Sequence, residues 1–276
     1  MVQPTKRALI IGIAGQDGSY LAEHLLESGY EVHGLVRRNS TPEHQESRID
    51  HISQSVSTHY GDLTDQSSLD SIVKLTQPSE IYNLGAQSHV RISFEVPQFT
   101  AQTNGLGVLN LLTSMRNFAP DSRLYQASSS EMFGDSVDKD HFQRESTPMH
   151  PVSPYGCAKL YGYHIVRNYR KSYGLFASNG ILFNHESPRR GSNFVTSKVV
   201  KTAVEIKLGI RSQLELGNMD SSRDWGHSKD YVRAMVKMLN HNEPDDFVIA
   251  TGQTHTVRDL VSKVFRCLDL DCENFV

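Results

Sequence analysis

The sequence predicts an α/β fold, a doubly wound parallel sheet with a smaller domain interleaved toward the C-terminus. Three observations carry this. The first strand is a continuous apolar run that breaks into a glycine turn and a helix. Similar runs then alternate with amphipathic helical stretches as far as Phe183, the pattern of a parallel sheet covered by helices on both faces. Beyond Phe183 the spacing turns irregular, with short extended pieces between helices.

Size and composition set the bounds. With 276 residues the chain can bury a sizeable core. It is 38% hydrophobic and 21% charged, with a formal net charge of −3, so no nucleic-acid partner and no membrane partner is indicated. No apolar run approaches the ~20 residues that span a bilayer, and Met1 to Arg7 lacks a signal peptide's apolar core. Cys157, Cys267 and Cys272 are too few and too badly spaced for a disulfide framework or a zinc site. A reducing, cytoplasmic setting is expected, and no metal.

Ala8 to Ile11 reads as a strand buried on both faces. The turn Gly12-Ile13-Ala14-Gly15-Gln16-Asp17-Gly18 follows, then a helix with Leu21, Ala22, Leu25 and Leu26 on one face. Strand, glycine turn and helix open a Rossmann-like dinucleotide-binding unit, in which backbone N–H groups meet a pyrophosphate at the helix N-terminus. The spacing is G-x-x-G-x-x-G, and alone it fits an ordinary loop as well. The second strand, Glu31 to Val36, ends in Arg37-Arg38-Asn39-Ser40. An NAD site usually places an acid there on the ribose, whereas two arginines suit the 2′-phosphate of NADP.

The third strand leads to Gly61-Asp62-Leu63-Thr64-Asp65, where Asp62 is placed to accept from an adenine amine. Ser67 to Leu75 reads as a helix and Glu80 to Leu84 as the fourth strand. Gly85-Ala86-Gln87-Ser88-His89 then forms a loop at a strand's carboxyl end, where open α/β sheets bind ligands. One long helix is expected from Val96 to Met115, a strand from Arg123 to Ala127, and another from Leu175 to Phe183. Asn184 to Gly191 reads as a polar loop, Asn193 to Leu208 and Lys229 to Leu239 as helices, Phe247 to Ala250 as a late strand and Val257 to Leu268 as a last helix. The domain reading is 1–183 with a returning segment near 226–253 for the cofactor, and 184–225 with 254–276 for the substrate.

The chemistry centres on Ser153-Pro154-Tyr155-Gly156-Cys157-Ala158-Lys159. Pro154 suits the first helical turn and Ser153 the cap before it. Tyr155 and Lys159 then share one helix face. A nearby ammonium favours the phenolate and so makes the tyrosine a better base, although this spacing alone also fits an exposed helix pair. Ser129 and Glu131 lie at the end of an adjacent strand. A hydroxyl, a carboxylate and a tyrosine–lysine pair around a hydride acceptor make a coherent redox and acid–base set.

On these residues the chain resembles the extended short-chain dehydrogenases/reductases and, more narrowly, the GDP-mannose 4,6-dehydratase family. The resemblance runs through Gly12 to Ala22, Gly61 to Asp65, Ile81 to Val90, Gly180 to Gly191 and Arg223 to His227, almost the whole chain. It implies oxidation of the C4 hydroxyl of GDP-mannose by NADP, elimination of water across C5 and C6, and return of hydride to C6. Tyr155 would be the base, Ser129 and Lys159 its assistants, and Glu131 the C5 base. The implied cofactor set is Gly12 to Asp17, Arg37, Arg38, Asn39, Asp62, Leu63, Leu84, Gly85, Ala86, Gln87, Ser88, Tyr155, Lys159, His185 and Arg190. The implied substrate set is Ser88, Ser129, Glu131, Asn184, Lys198 and Arg223. Arg37 and Arg38 would also touch a neighbouring subunit's cofactor site in a homo-oligomer, a dimer or tetramer.

Three departures from the family are noted. Ser129 stands where the family usually has threonine. The stretch Asp135 to His150 is about two residues longer, which lengthens a surface loop. The sequence ends at Val276, inside an expected strand, so a C-terminally truncated substrate pocket is expected, with Val257, Leu260, Val261, Val264 and Phe265 left as an unpartnered apolar face. Trp225 is expected to pack, and Asp224 to brace Arg223. The alternatives are a related nucleotide-sugar dehydratase or epimerase, which the position of Glu131 disfavours in its epimerase form, and a truncated NADP-binding module without catalysis.

Overall fold

The computed structural model describes residues 5–37 and 48–276. Two compact units emerge, one formed by 1–182 with 229–249 and the other by 183–228 with 250–276.

The first unit is built on a seven-stranded sheet. Its strands are β1 (Arg7–Ile11), β2 (Glu31–Val36), β3 (Val56–Tyr60), β4 (Glu80–Asn83), β5 (Arg123–Ser129), β6 (Phe176–Leu182) and, later in the chain, β9 (Asp246–Ile249). Their order is β3-β2-β1-β4-β5-β6-β9, and every neighbouring pair is parallel. Alternation on β1 explains the layering. Ala8 and Ile10 enter a core with Leu21 and Leu25 of α1 (Gln16–Glu27) and Val232 and Met235 of α8 (Ser228–Leu239). Leu9 and Ile11 enter the opposite core with Leu69 and Val73 of α2 (Gln66–Thr76), Leu111 and Leu112 of α5 (Gly107–Phe118) and Val166 of α6 (Pro154–Tyr173). These four β1 residues are each at most 1% exposed. A strand buried on both faces must read as an unbroken apolar run.

The long helix expected from Val96 is divided. A short α3 (Val90–Glu95) precedes α4 (Pro97–Ala101), and a π-helical turn over Gln102–Leu106 joins α4 to α5. The turn carries buried Asn104, whose amide and carbonyl both serve another loop, as described below. Single π-helical turns of this kind occur inside α-helices and are frequent at functional sites.

The second unit holds a three-stranded sheet in the order β10-β8-β7, from β7 (Asn184–Glu186), β8 (Ser222–His227) and β10 (Thr254–Thr256). β7 replaces the loop expected at Asn184. The register pairs Asn184 with Trp225, His185 with Gly226 and Glu186 with His227, supplying the backbone partners that a loop would lack. The apolar face of α9 (Val257–Cys267) is not open, against expectation. Val257, Val261 and Phe265 are buried with Val199, Ala203 and Ile206 of α7 (Val195–Lys207), and Trp225 packs on the same core. The chain's last residues form a 3₁₀ turn over Cys272–Asn274 rather than a strand, and Phe275 packs against this core.

Candidate active site

The glycine turn after β1 is a backbone cradle. Gly12 has φ of +84°, and a Cβ there would lie 3.0 Å from the Gly85 nitrogen. Only glycine permits that conformation together with that approach. The first and fourth strands therefore present their carboxyl ends side by side. Gly15 caps α1 without a side-chain hydrogen bond, and its N–H donates to the Gly12 carbonyl at 2.9 Å. A helix N-terminus left to backbone groups beside a glycine turn suits a pyrophosphate.

Around this cradle the remaining cofactor candidates divide by what they expose. Ile13 is wholly buried and Leu63 nearly so, so both side chains serve the core. One oxygen of Asp62 accepts from the backbone N–H and hydroxyl of Thr64, each at 2.8 Å. Leu84, Gly85, Ala86 and Gln87 are half-buried and Ser88 is exposed. Asn104 clamps their loop. Its side-chain oxygen accepts from the Gln87 N–H and its amide donates to the Gln87 carbonyl, both at 2.8 Å. Arg37 is exposed at the end of β2, while Arg38 and Asn39 lie outside the described residues.

The tyrosine helix starts as its sequence dictates. Ser153 accepts from the Gly156 N–H at 3.0 Å, and Pro154 occupies the first turn. The Tyr155 N–H donates to the Ser93 hydroxyl at 3.2 Å. Ser93 is fully buried; nothing in the sequence singled it out, or Asn104, although a polar residue on an otherwise apolar helix face is the signal that would have found Asn104. Gly156 brings the helix onto the strand end: a Cβ there would stand 2.7 Å from the Glu131 carbonyl oxygen. Glu131 sits in a 3₁₀ turn over Ser130–Met132, where its N–H donates to the Ser129 hydroxyl at 3.2 Å. Tyr155 and Ser129 are buried and Glu131 is half-buried.

Lys159 reaches past the tyrosine to the strand. Its Nζ lies 5.8 Å from the centre of the Tyr155 ring and donates to the Ala127 carbonyl at 2.8 Å. Burial pushes this ammonium down to about 8, so it keeps its proton at neutral pH but holds it weakly. Packing of α6 on the end of β5 thus gathers Ser129, Glu131, Tyr155 and Lys159.

The second unit carries the other candidates. His185 is buried, with its Nδ1 2.8 Å from the Phe183 carbonyl oxygen. Arg190 pairs with Glu186 at 3.1 Å and stacks over Phe194 at 3.6 Å. Asn184 is half-buried on β7. Lys198 and Arg223 are exposed, Lys198 donating to the Glu215 carbonyl at 2.6 Å and Arg223 to the Ser222 carbonyl at 2.8 Å. Asp224 does not brace Arg223. It is buried and accepts from the Thr251 and Gly252 N–H groups at 2.8–3.0 Å, because successive β8 side chains point to opposite faces.

Comparison with known proteins places this architecture. A family model described as GDP-mannose 4,6 dehydratase matches residues 9–275. The chain is 56% identical over 265 residues to GDP-mannose 4,6-dehydratase of Yersinia enterocolitica, covering 93% of this chain and 70% of that protein. It is 54% identical over 273 residues to the Cricetulus griseus protein of the same name, covering 95% of this chain and 72% of that one. Among solved structures, UDP-glucose 4-epimerase of Thermus thermophilus in complex with NAD aligns with a TM-score of 0.83 at 26% identity, over 96% of this chain and 84% of that one.

Proposed function

The chain belongs to the GDP-mannose 4,6-dehydratase family, and from that premise we propose that it converts GDP-mannose to GDP-4-keto-6-deoxymannose with a bound nicotinamide cofactor, NADP rather than NAD. The observation that carries the reading is the convergence of Ser129, Glu131, Tyr155 and Lys159 at the end of β5. Those four groups suit the chemistry of a sugar C4 hydroxyl and its neighbouring C5 hydrogen.

The turn formed by Gly12, Gly15 and the loop from Leu84 to Ser88 suits a dinucleotide. Gly15 leaves the head of α1 to backbone groups, and Gly12 lets the turn sit against the backbone of Leu84 and Gly85, where a Cβ would lie 3.0 Å from the Gly85 nitrogen. When bound, the nicotinamide supplies a hydride acceptor for C4 and later a hydride donor for C6. Tyr155 takes the proton of the C4 hydroxyl, and Ser129 hydrogen-bonds the same oxygen. Lys159 holds positive charge beside the phenol, which favours the phenolate. The C4 ketone acidifies the C5 hydrogen, Glu131 removes it as a proton, and the C6 hydroxyl leaves as water with that proton. The proton that Tyr155 took from the C4 hydroxyl is then available to return to C5, so the net change is the loss of one water. Arg37, with Arg38 and Asn39, is assigned to the 2′-phosphate. His185 and Arg190 are assigned to the nicotinamide side, and Asn184, Lys198 and Arg223 to the nucleotide sugar.

The test is incubation with GDP-mannose and NADP⁺. Mass spectrometry should find a product lighter by one water, with no net NADPH formed. Recovery of unchanged GDP-mannose, under conditions where the protein binds NADP⁺, would set the reading aside.

A further inference from the structure

We propose that Asp246 is a positioning residue: from edge strand β9 it fixes α6 against β5 and β6, and so sets where Tyr155 and Lys159 stand relative to Ser129 and Glu131. The inference rests on the dehydratase reading for what those four groups do.

Asp246 lies 83 residues after its helix partner Tyr163. Nothing in its local pattern marks it, and β9 carries it as the first of four residues. Its side chain is only 6% exposed. Arg170 Nη2 and Asn179 Nδ2 bond one oxygen at 2.6 and 2.8 Å. The Tyr163 hydroxyl and Arg167 Nε approach the other at 3.0 and 3.3 Å. Tyr163, Arg167 and Arg170 follow one another at helical spacing on α6, so a single carboxylate grips nearly two turns of the helix. A buried carboxylate persists only when its oxygens are satisfied in this way.

The same network reaches the strand end. Asn179 stands directly across from Asp246 in the parallel β6–β9 register. Its side-chain oxygen accepts from the Ser128 hydroxyl at 3.2 Å, and its amide also approaches the Tyr163 carbonyl at 3.3 Å. Ser128 precedes Ser129, and Lys159 lies one helical turn before Tyr163 and bonds to the Ala127 carbonyl. Both sides of the candidate site are therefore referred to one carboxylate. A residue that merely held β9 to the sheet would not need three donors from the helix.

The experiment compares the parent chain with Tyr163→Phe, which removes one donor and keeps the charge paired, and with Asp246→Asn. Hydrogen exchange by mass spectrometry follows peptides spanning Tyr155–Tyr163 and, as reference, α1. Kinetics with GDP-mannose follow kcat and KM, and titration follows NADP⁺ affinity. Tyr163→Phe should speed exchange in Tyr155–Tyr163 at least tenfold while α1 stays within twofold. It should lower kcat about tenfold with KM and cofactor affinity within twofold, and Asp246→Asn should do more. Unchanged exchange in the helix, or a uniform rise that includes α1 with kcat unaltered, overturns the proposal. If Asp246→Asn does not fold, Tyr163→Phe decides alone. A parent chain that leaves GDP-mannose unchanged would reject the dehydratase reading, and the exchange comparison would still decide whether Asp246 positions the helix.

Discussion

Replacing Lys159 with methionine should abolish turnover and yet make the protein more stable at neutral pH. The Nζ is buried, and burial pulls it from 10.5 to about 8. Each pKa unit corresponds to about 1.4 kcal/mol, so the charged lysine costs the folded state about 3 kcal/mol relative to the unfolded chain. Methionine fills a similar volume without that charge. It also gives up the hydrogen bond to the Ala127 carbonyl, a loss of about 1 kcal/mol. That oxygen is not orphaned, because the Gln126 amide donates to it at 3.0 Å. The expected net gain at pH 7 is therefore about 2 kcal/mol.

The pH dependence carries the sharper test. Between about 8 and 10.5 the unfolded chain holds the lysine proton and the folded chain has released it. The unfolded state then binds more protons, so stability contributed by this residue rises with pH across that window. Below 8 both states are protonated and the full penalty applies. Urea denaturation of parent and Lys159→Met at pH 7 and again near pH 10.5 isolates the lysine, since other groups cancel in the difference. The variant's advantage should shrink by about 3 kcal/mol over that range. A constant separation at both pH values would refute the claim that burial destabilises this ammonium.

Further outcomes follow from other contacts. Glu131→Gln should allow C4 oxidation but block elimination, so absorbance of the reduced cofactor should build up with GDP-mannose present and no 6-deoxy product should form; product at the parent rate would remove Glu131 from the C5 step. Arg37→Ala should weaken NADP⁺ while sparing NAD⁺, by roughly ten- to a hundredfold for a charge-assisted phosphate contact worth about 1.5–3 kcal/mol, and calorimetry giving equal losses for both cofactors would reject that assignment. Gly156→Ala places a methyl 2.7 Å from the Glu131 carbonyl; because backbone cannot yield cheaply, turnover should fall more than tenfold with NADP⁺ affinity retained, and full activity would show that the contact does not set the site.

How far the sequence reveals this molecule depends on where each residue's partner lies. β1, the Gly12 turn and α1 were legible because an apolar run, a glycine and an amphipathic period are local signals. The start of α6 was legible for the same reason, since Ser153 caps its own helix and Pro154 needs no N–H there. β7 was not, because three residues gain strand character only by pairing with β8 across a long intervening segment. The apolar face of α9 was visible, but its partner on α7 was not, so a buried surface read as an open one. In each case the missed information lay in a contact distant along the chain.

The candidate site shows the same division within a few ångströms. Helical spacing alone sets the Tyr155–Lys159 relation, and chain continuity sets that between Ser129 and Glu131. What neither supplies is the relation between the two pairs, which depends on whether α6 settles onto the end of β5. Gly156 permits that approach, Ser93 accepts from the helix's N–H at Tyr155, and Asp246 grips the helix farther along. None of these three has a signature of its own, because their importance is geometric. A motif can therefore be intact while the distance between its halves is wrong. Substitutions at Ser93, Gly156 or Asp246 should accordingly impair catalysis more than cofactor binding, since the glycine cradle at the head of α1 is built without them.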